Sequence, residues 1–295
     1  MSHFLSPLFE TGFFQSEAVR TALIIGTVVA IVAGALGVFT VMRGQSFAAE
    51  AFGDIGTTGG SGAFLVGAGP LPGFLVFGVL AAGAMELVGI QRARGRDLAT
   101  GIVLGAALGL AALFLYLGST IHNTTGAVVT ILFGSIFTIS NSMIPLVAVL
   151  AAVVALILLV IHRPLLLSTV SPEIATARGV PVRLLGATYL LALAAAVALC
   201  ALTIGSILST ALLVGPAAAA LRATRRAGRA VLLAGLLGVA AMWLGIVLAY
   251  DSYYWPPKGN GWPVSFFVVT IVFVIYLLSG VPAWRERRRA GRTIG

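Results

Sequence analysis

Long apolar runs, broken by short polar segments rich in arginine, dominate the chain. In order, the runs predict helices at about 19–42, 47–68, 71–90, 98–117, 143–162, 184–202, 204–222, 229–250 and 264–282. Each is near the ~20 residues that a helix needs to cross a hydrocarbon core. The least regular boundaries are the glycine-rich second run and the turn near Thr203–Ser206. Between Gly118 and Ser142 the pattern loses its length: STIHNTTG is polar, and AVVTILFGSIFTIS is apolar but short. This stretch reads as an external or half-inserted element. Small residues recur at spacing four, as in Gly101, Gly105 and Gly109, a pattern that lets helix backbones approach closely in lipid. No internal repeat is visible.

Composition narrows the class. Hydrophobic residues make up 59% of the chain and charged residues 9%, against about 25% in soluble domains. In lipid every backbone polar group must be satisfied internally, and the two-residue alternation of a membrane barrel is absent. An all-α polytopic membrane protein of about nine transmembrane helices, in a single domain, follows. The net charge of +9 would suggest nucleic acid in a soluble protein. Here the arginines cluster between apolar runs, so membrane topology explains them and no nucleic-acid partner is expected. Arg43, Arg92, Arg94, Arg96, Arg163, Arg178, Arg183, Arg222, Arg225, Arg226, Arg229 and the basic tail 283–295 fall on one face when nine spans are drawn. That face is the cytoplasm. The N-terminus then lies outside, as does the loop from Asp251 to Trp262, and the C-terminus is cytoplasmic. The tail also suits anionic lipid. No positive region precedes the first apolar run, so no cleavable signal peptide is expected. The single Cys200 reads as a small buried hydrophobe, with no disulfide and no cysteine metal cage.

The segment Leu165–Arg226 carries the most information. A polar stretch, 171–182, interrupts two apolar runs, and the second run ends in LLVGPAAAA before basic residues. Ser171 fits an N-cap, Pro172 the first helical position and Glu173 the first turn; Gly179 suits the end of that short helix. Pro216 kinks the following helix or marks its end. This order resembles the permease subunits of ABC importers for divalent metals, the zinc/manganese/iron family. They carry a comparable serine-proline-acidic segment ending in alanine-x-x-glycine-valine, and a leucine-phenylalanine-glycine element where this chain has LFGS. The resemblance implies a membrane subunit that forms the translocation path for a divalent cation such as manganese or zinc. It holds no permanent cofactor and sits in the cell membrane. A second permease copy, a dimer of ATPase subunits and an extracytoplasmic metal-binding protein complete the machine. Ser171, Pro172, Glu173, Ala177, Arg178 and Gly179 would form the ATPase docking segment. The chain has no G-x-x-x-x-G-K-[ST] phosphate loop, and Lys258 is its one lysine, so ATP hydrolysis falls to a separate protein.

Glu50 and Asp54 are the candidate metal contact. Spacing four puts both carboxylates on one face of a helix. An ionised carboxylate in lipid costs roughly 2.5 kcal/mol or more, and a shared divalent cation would offset that. Oxygen donors suit Mn²⁺ and can also ligate Zn²⁺. Gly56, Gly59, Gly60 and Gly62 would weaken this helix, and Thr57, Thr58 and Ser61 would line an aqueous path. The alternative is a helix that starts later and leaves both carboxylates in a loop. Many metal permeases carry an Asp and a His four residues apart after an arginine. Counted from Arg43 those positions hold Ala49 and Gly53; Glu50 and Asp54 keep the spacing one residue later, without a His.

The other lone polar residues are weighed singly. Glu86 would pair with Arg92 or Arg94 or snorkel, His122 would lie in an external loop near an arriving metal, and His162 would anchor at the interface. Asp251 is placed outside, where a binding protein could be met. Two other classes remain open. A secondary transporter would use Glu50 and Asp54 as proton or cation carriers. A membrane-embedded enzyme or assembly factor would need convergent catalytic groups, and none is legible. Within the permease reading, an ABC permease for a non-metal solute stays open as well.

Overall fold

The computed structural model describes residues 13–88, 96–123, 126–134, 136–224, 226–255 and 261–291. The described residues form helices and turns, with no strand among them. Among the described residues eleven α-helices run in order: α1 Glu17–Met42, α2 Ser46–Leu65, α3 Pro70–Val88, α4 Arg96–His122, α5 Gly126–Phe133, α6 Ile144–Val170, α7 Pro172–Ala177, α8 Val182–Ile204, α9 Ser209–Ala223, α10 Ala227–Asp251 and α11 Val264–Gly291. Five segments are long and apolar enough to cross a membrane: Glu17–Met42, Val103–His122, Asn141–Val170, Val182–Ile204 and Ala227–Asp251. Three shorter apolar helices, Pro70–Glu86, Ser209–Ala223 and Val264–Gly280, accompany them. The chain is a multi-pass membrane protein.

Burial separates the helices into an interior pair and a periphery. In α1 and α8, 67% and 72% of the spanning window is buried, against 22% in both Val103–His122 and Asn141–Val170. The core therefore sits between α1 and α8, where Leu36, Tyr189, Leu193, Leu199 and Ile204 are fully enclosed. α1 packs on α10 and α9, α8 on α3 and α6, and α2 on α3 and α4. Small residues make these approaches possible, because in lipid helix association depends on close van der Waals fit. A Cβ on Gly34 would stand 2.8 Å from the Ala234 carbonyl carbon, and one on Gly37 would overlap the Leu213 carbonyl oxygen. A Cβ on Gly59 would overlap the Gly73 carbonyl oxygen, so α2 and α3 meet backbone to backbone. The stripe read as packing behaves otherwise: Gly105 and Gly109 are exposed, with nothing within 4 Å of a Cβ. Gly101 lies outside the residues with described side chains.

Several boundaries move. The fourth helix runs on to His122, because the polar residues after Leu117 bond to their own helix: Ser119 and Thr120 both donate to the Tyr116 carbonyl. The fifth expected span continues past Pro164 to Val170, where Ser168 and Thr169 hydroxyls donate back to the Leu165 carbonyl. The span expected at 204–222 begins only at Ser209, after an unwound stretch, and Pro216 lies inside it rather than at its end. The last helix absorbs most of the basic tail, reaching Gly291. The short stretch expected to be external or half-inserted folds as α5, followed by 3-10 turns at Ile136–Thr138 and Asn141–Met143.

Candidate functional site

The carboxylate helix begins at a tight turn. α1 ends as Arg43 N–H donates to Phe39 O at 2.9 Å, Gly44 N–H to Val41 O at 3.1 Å and Gln45 N–H to Thr40 O at 2.9 Å. Gly44 takes φ +65°, which closes the helix end at little steric expense. α2 starts at Ser46, so Glu50 and Asp54 are helical and the loop alternative is displaced. Both are half-buried, one turn apart, and among the described residues neither has a hydrogen-bond or ion-pair partner. Ala49 and Gly53, the positions reached by counting from Arg43, are buried.

The glycines and hydroxyls of α2 do different work from that expected. The helix continues unbroken to Leu65. Thr57, Thr58 and Ser61 are buried and bonded, to Gly53 O at 2.8 Å, Ala107 O at 2.7 Å and Thr58 O at 3.0 Å. They face protein and not an aqueous path. The glycines let neighbours close in: a Cβ on Gly53 would lie 3.3 Å from both Ser206 O and Ser209 Oγ.

That neighbour is the turn expected near Thr203–Ser206, whose pairing with the end of α5 the sequence reading missed. After α8 the chain unwinds through Gly205–Leu208 and lies against the end of α5. Ser206 N–H donates to Ile131 O at 3.2 Å and Ile207 N–H to Leu132 O at 3.3 Å, satisfying carbonyls that the end of α5 leaves orphaned. Gly134 and Gly205 face each other at φ +74° and +86°, and a Cβ on either would overlap the other's strand of backbone. Irregular backbone inside a membrane bundle survives only when protein satisfies it, as here. The available signal was a pair of apolar runs each ending in Gly-Ser, at Phe133–Gly134–Ser135 and Ile204–Gly205–Ser206.

The polar segment 171–182 folds as its sequence dictates. Ser171 takes an extended φ/ψ of −151°/97° and its Oγ accepts from Ile174 N–H at 3.4 Å. Pro172 opens α7 and Glu173 lies in its first turn. Arg178 N–H donates to Ile174 O, Gly179 N–H to Thr176 O and Val180 N–H to Ala175 O, with Gly179 at φ +76°. Ala175 alone is buried; Pro172, Glu173, Ile174, Ala177, Arg178 and Gly179 are exposed.

The remaining polar residues resolve as follows. Glu86 pairs with Arg183 Nε at 3.2 Å, while Arg92 and Arg94 lie outside the described residues. His122 is exposed, its Nε2 3.2 Å from Leu65 O and its ring against Phe64. His162 is within its own helix's reach, Nδ1 to Leu159 O at 2.6 Å. Asp251 is 8% exposed and accepts from the Trp255 indole at 3.1 Å. That burial removes it as an external docking residue. Cys200 is fully buried. Among the described residues no group of three or more His, Cys, Asp and Glu could hold a metal ion.

The fold is a multi-pass helical bundle with an exposed capped segment and a half-buried carboxylate pair. The chain belongs to the ABC 3 transport family, whose model matches residues 15–280. It is 29% identical over 253 residues to the manganese transport system membrane protein MntC of Halalkalibacterium halodurans, covering 85% of this chain and 84% of that one. It is 28% identical over 243 residues to the manganese import system permease protein ScaB of Streptococcus parasanguinis, covering 82% and 85%. Among solved structures it is similar to PsaBC from Streptococcus pneumoniae in complex with Fab, at a TM-score of 0.72 and 25% identity over 95% of both chains.

Proposed function

We propose that this chain is the membrane-spanning subunit of an ATP-driven importer of divalent cations, with manganese as the first candidate and zinc the second. The family match over residues 15–280, with relatives named as manganese permeases, carries this reading. The chain itself is non-catalytic. It crosses the membrane about nine times, N-terminus outside and C-terminus inside, and α2 is counted among the spans.

Glu50 and Asp54 are the intramembrane contact for the passing cation. Two unpartnered carboxylates on one helix face are too few to hold a cation permanently, which suits cargo. A second copy of the chain, related by a two-fold axis along the pathway, brings the carboxylates to four. Oxygen donors of this kind suit manganese chemistry. On the cytoplasmic side two ATPase subunits grip Ser171, Pro172, Glu173, Ala177, Arg178 and Gly179, whose exposure and rigid caps fit a docking element. An extracytoplasmic binding protein delivers the metal to the outer face.

Elemental analysis tests this. Cells lacking the gene and any redundant importers, grown under metal limitation, are expected to lose manganese selectively among Mn, Zn, Fe and Co. The wild-type gene restores it and Asp54→Asn does not. Glu173→Arg is expected to abolish co-purification of the ATPase. An unchanged metal content in the deletion strain would sink the importer reading. Full rescue by Asp54→Asn would remove the carboxylate from it.

A further inference from the structure

We propose that Arg43 is the positioning residue that carries movement of the α7 docking segment to the carboxylate-bearing helix α2. This deepens the importer reading and rests on it. Arg43 sits in the short turn between α1 and α2, and its guanidinium reaches α6, α8 and the Gln45 side chain just ahead of α2. Its Nη1 donates to Ser168 Oγ at 3.2 Å and to Thr169 Oγ1 at 3.4 Å, both on the last turn of α6. The protons of those hydroxyls are committed to the Leu165 carbonyl, at 3.0 and 2.6 Å, so their lone pairs are free to face the guanidinium. Its Nε donates to Gln45 Oε1 at 3.2 Å, and Gln45 stands just ahead of α2, its backbone carbonyl accepting from Ala49 N–H at 3.2 Å. The guanidinium carbon stands 5.3 Å from the centre of the Tyr189 ring on α8. Tyr189 is fully buried and its hydroxyl lies 2.7 Å from Thr40 Oγ1 on α1. Thr40 spends its own proton on Leu36 O, so the tyrosine donates.

The consequence is mechanical. Ser168 and Thr169 stand just ahead of Ser171, the cap that opens α7. A shift at the start of α7 must either break the Arg43 hydrogen bonds or turn the Arg43–Gln45 corner with it. Glu50 and Asp54 lie five and nine residues beyond Gln45, about 7.5 and 13.5 Å along α2 at 1.5 Å per residue. α2 is continuous over that distance and backed by α3. A second polar link joins the start of α8, just past the docking segment, to α3, through Arg183 and Glu86. The Arg183 side chain is 80% exposed, and an exposed pair holds little, so Arg43 is the stronger connection.

The test uses the complex of this chain with its ATPase, reconstituted in liposomes with its binding protein and radioactive manganese. Arg43→Lys keeps the charge but loses the planar fork and its stacking. Its ATPase association and hydrolysis should stay within about twofold of wild type while manganese uptake falls about tenfold, within the usual range of coupling between sites. Ser168→Ala with Thr169→Val removes only the α6 acceptors, leaves Arg43 over Tyr189 and should give the same split. It is decisive by itself if Arg43→Lys does not accumulate. Wild-type uptake in either variant overturns the proposal. So does a joint loss of association, hydrolysis and uptake, which would make Arg43 part of the docking surface or of general stability. Failure of the importer reading is distinguishable, since the wild-type complex would then move no manganese.

Discussion

Replacing Gly73 by alanine isolates the backbone contact that holds α2 in place. A Cβ on Gly73 would overlap the Gly59 carbonyl oxygen and stand 2.9 Å from the Ala63 Cβ, where ordinary contact begins at 3.4 Å. The nearest obstacle is backbone, so no rotamer change clears it and α3 must move away from α2. The Ala63 contact alone asks for about 0.5 Å. Overpacking of this kind costs about 1–3 kcal/mol, and a backbone obstacle argues for the upper end. Gly83, ten residues on in the same helix, is exposed with nothing within 4 Å of a Cβ. There the same substitution stabilises by roughly 0.5–1 kcal/mol through helix propensity alone. The two variants should therefore differ by about 3–4 kcal/mol, or roughly 6–16 °C at 2–4 °C per kcal/mol. Thermal melting of the purified protein, followed by its retention as a monodisperse peak, measures the gap. Because α2 carries Glu50 and Asp54, Gly73→Ala should also lower manganese uptake where Gly83→Ala does not. Melting temperatures within about 2 °C of each other would refute the backbone-to-backbone packing of α2 on α3.

Gly205→Ala should abolish accumulation of folded protein: at φ +86° and ψ 159° the position is essentially restricted to glycine, and a Cβ would overlap Leu132 O. Gly179→Ala, at φ +76° with open space around it, should cost only about 1–2 kcal/mol and leave a monodisperse protein. Equal yields for these two variants would argue against the crossing of Gly134 and Gly205. Glu86→Gln should shift the melting temperature by no more than about 4 °C, because its partner is exposed and such pairs contribute under about 1 kcal/mol. A larger loss would mean that the Glu86–Arg183 link carries more than its exposure suggests.

Much of this molecule was legible in one dimension. Apolar run length fixed the helical membrane class, because lipid leaves the backbone no alternative to internal hydrogen bonding. The short capped helix after α6 was equally readable: Ser171, Pro172 and Gly179 are local instructions, each acting within four residues of itself. The identity of Glu50 and Asp54 as unusual residues also followed from sequence, since a charge in an apolar run is costly wherever it points.

Partners across the bundle were not readable. Glu86 reads in sequence as a partner of Arg92 or Arg94 or as a snorkelling residue, and in the fold it meets Arg183, 97 residues away. Asp251 ends a span, but only the fold shows it buried against Trp255. The hydroxyls of α2 looked like a polar path, but Thr57 and Ser61 bond back to Gly53 and Thr58 carbonyls of their own helix, and Thr58 reaches across to Ala107 O, a partner that packing alone decides. Glycines carry the same ambiguity: Gly59 and Gly73 are contact points while Gly105 and Gly109 are exposed, although all four sit in similar apolar sequence. Local sequence sets what a segment of backbone can do alone, through dihedral preference and hydrophobic length. Which side chain meets which carbonyl depends on how helices distant in sequence are rotated about their axes, and that rotation is settled only when the whole bundle packs.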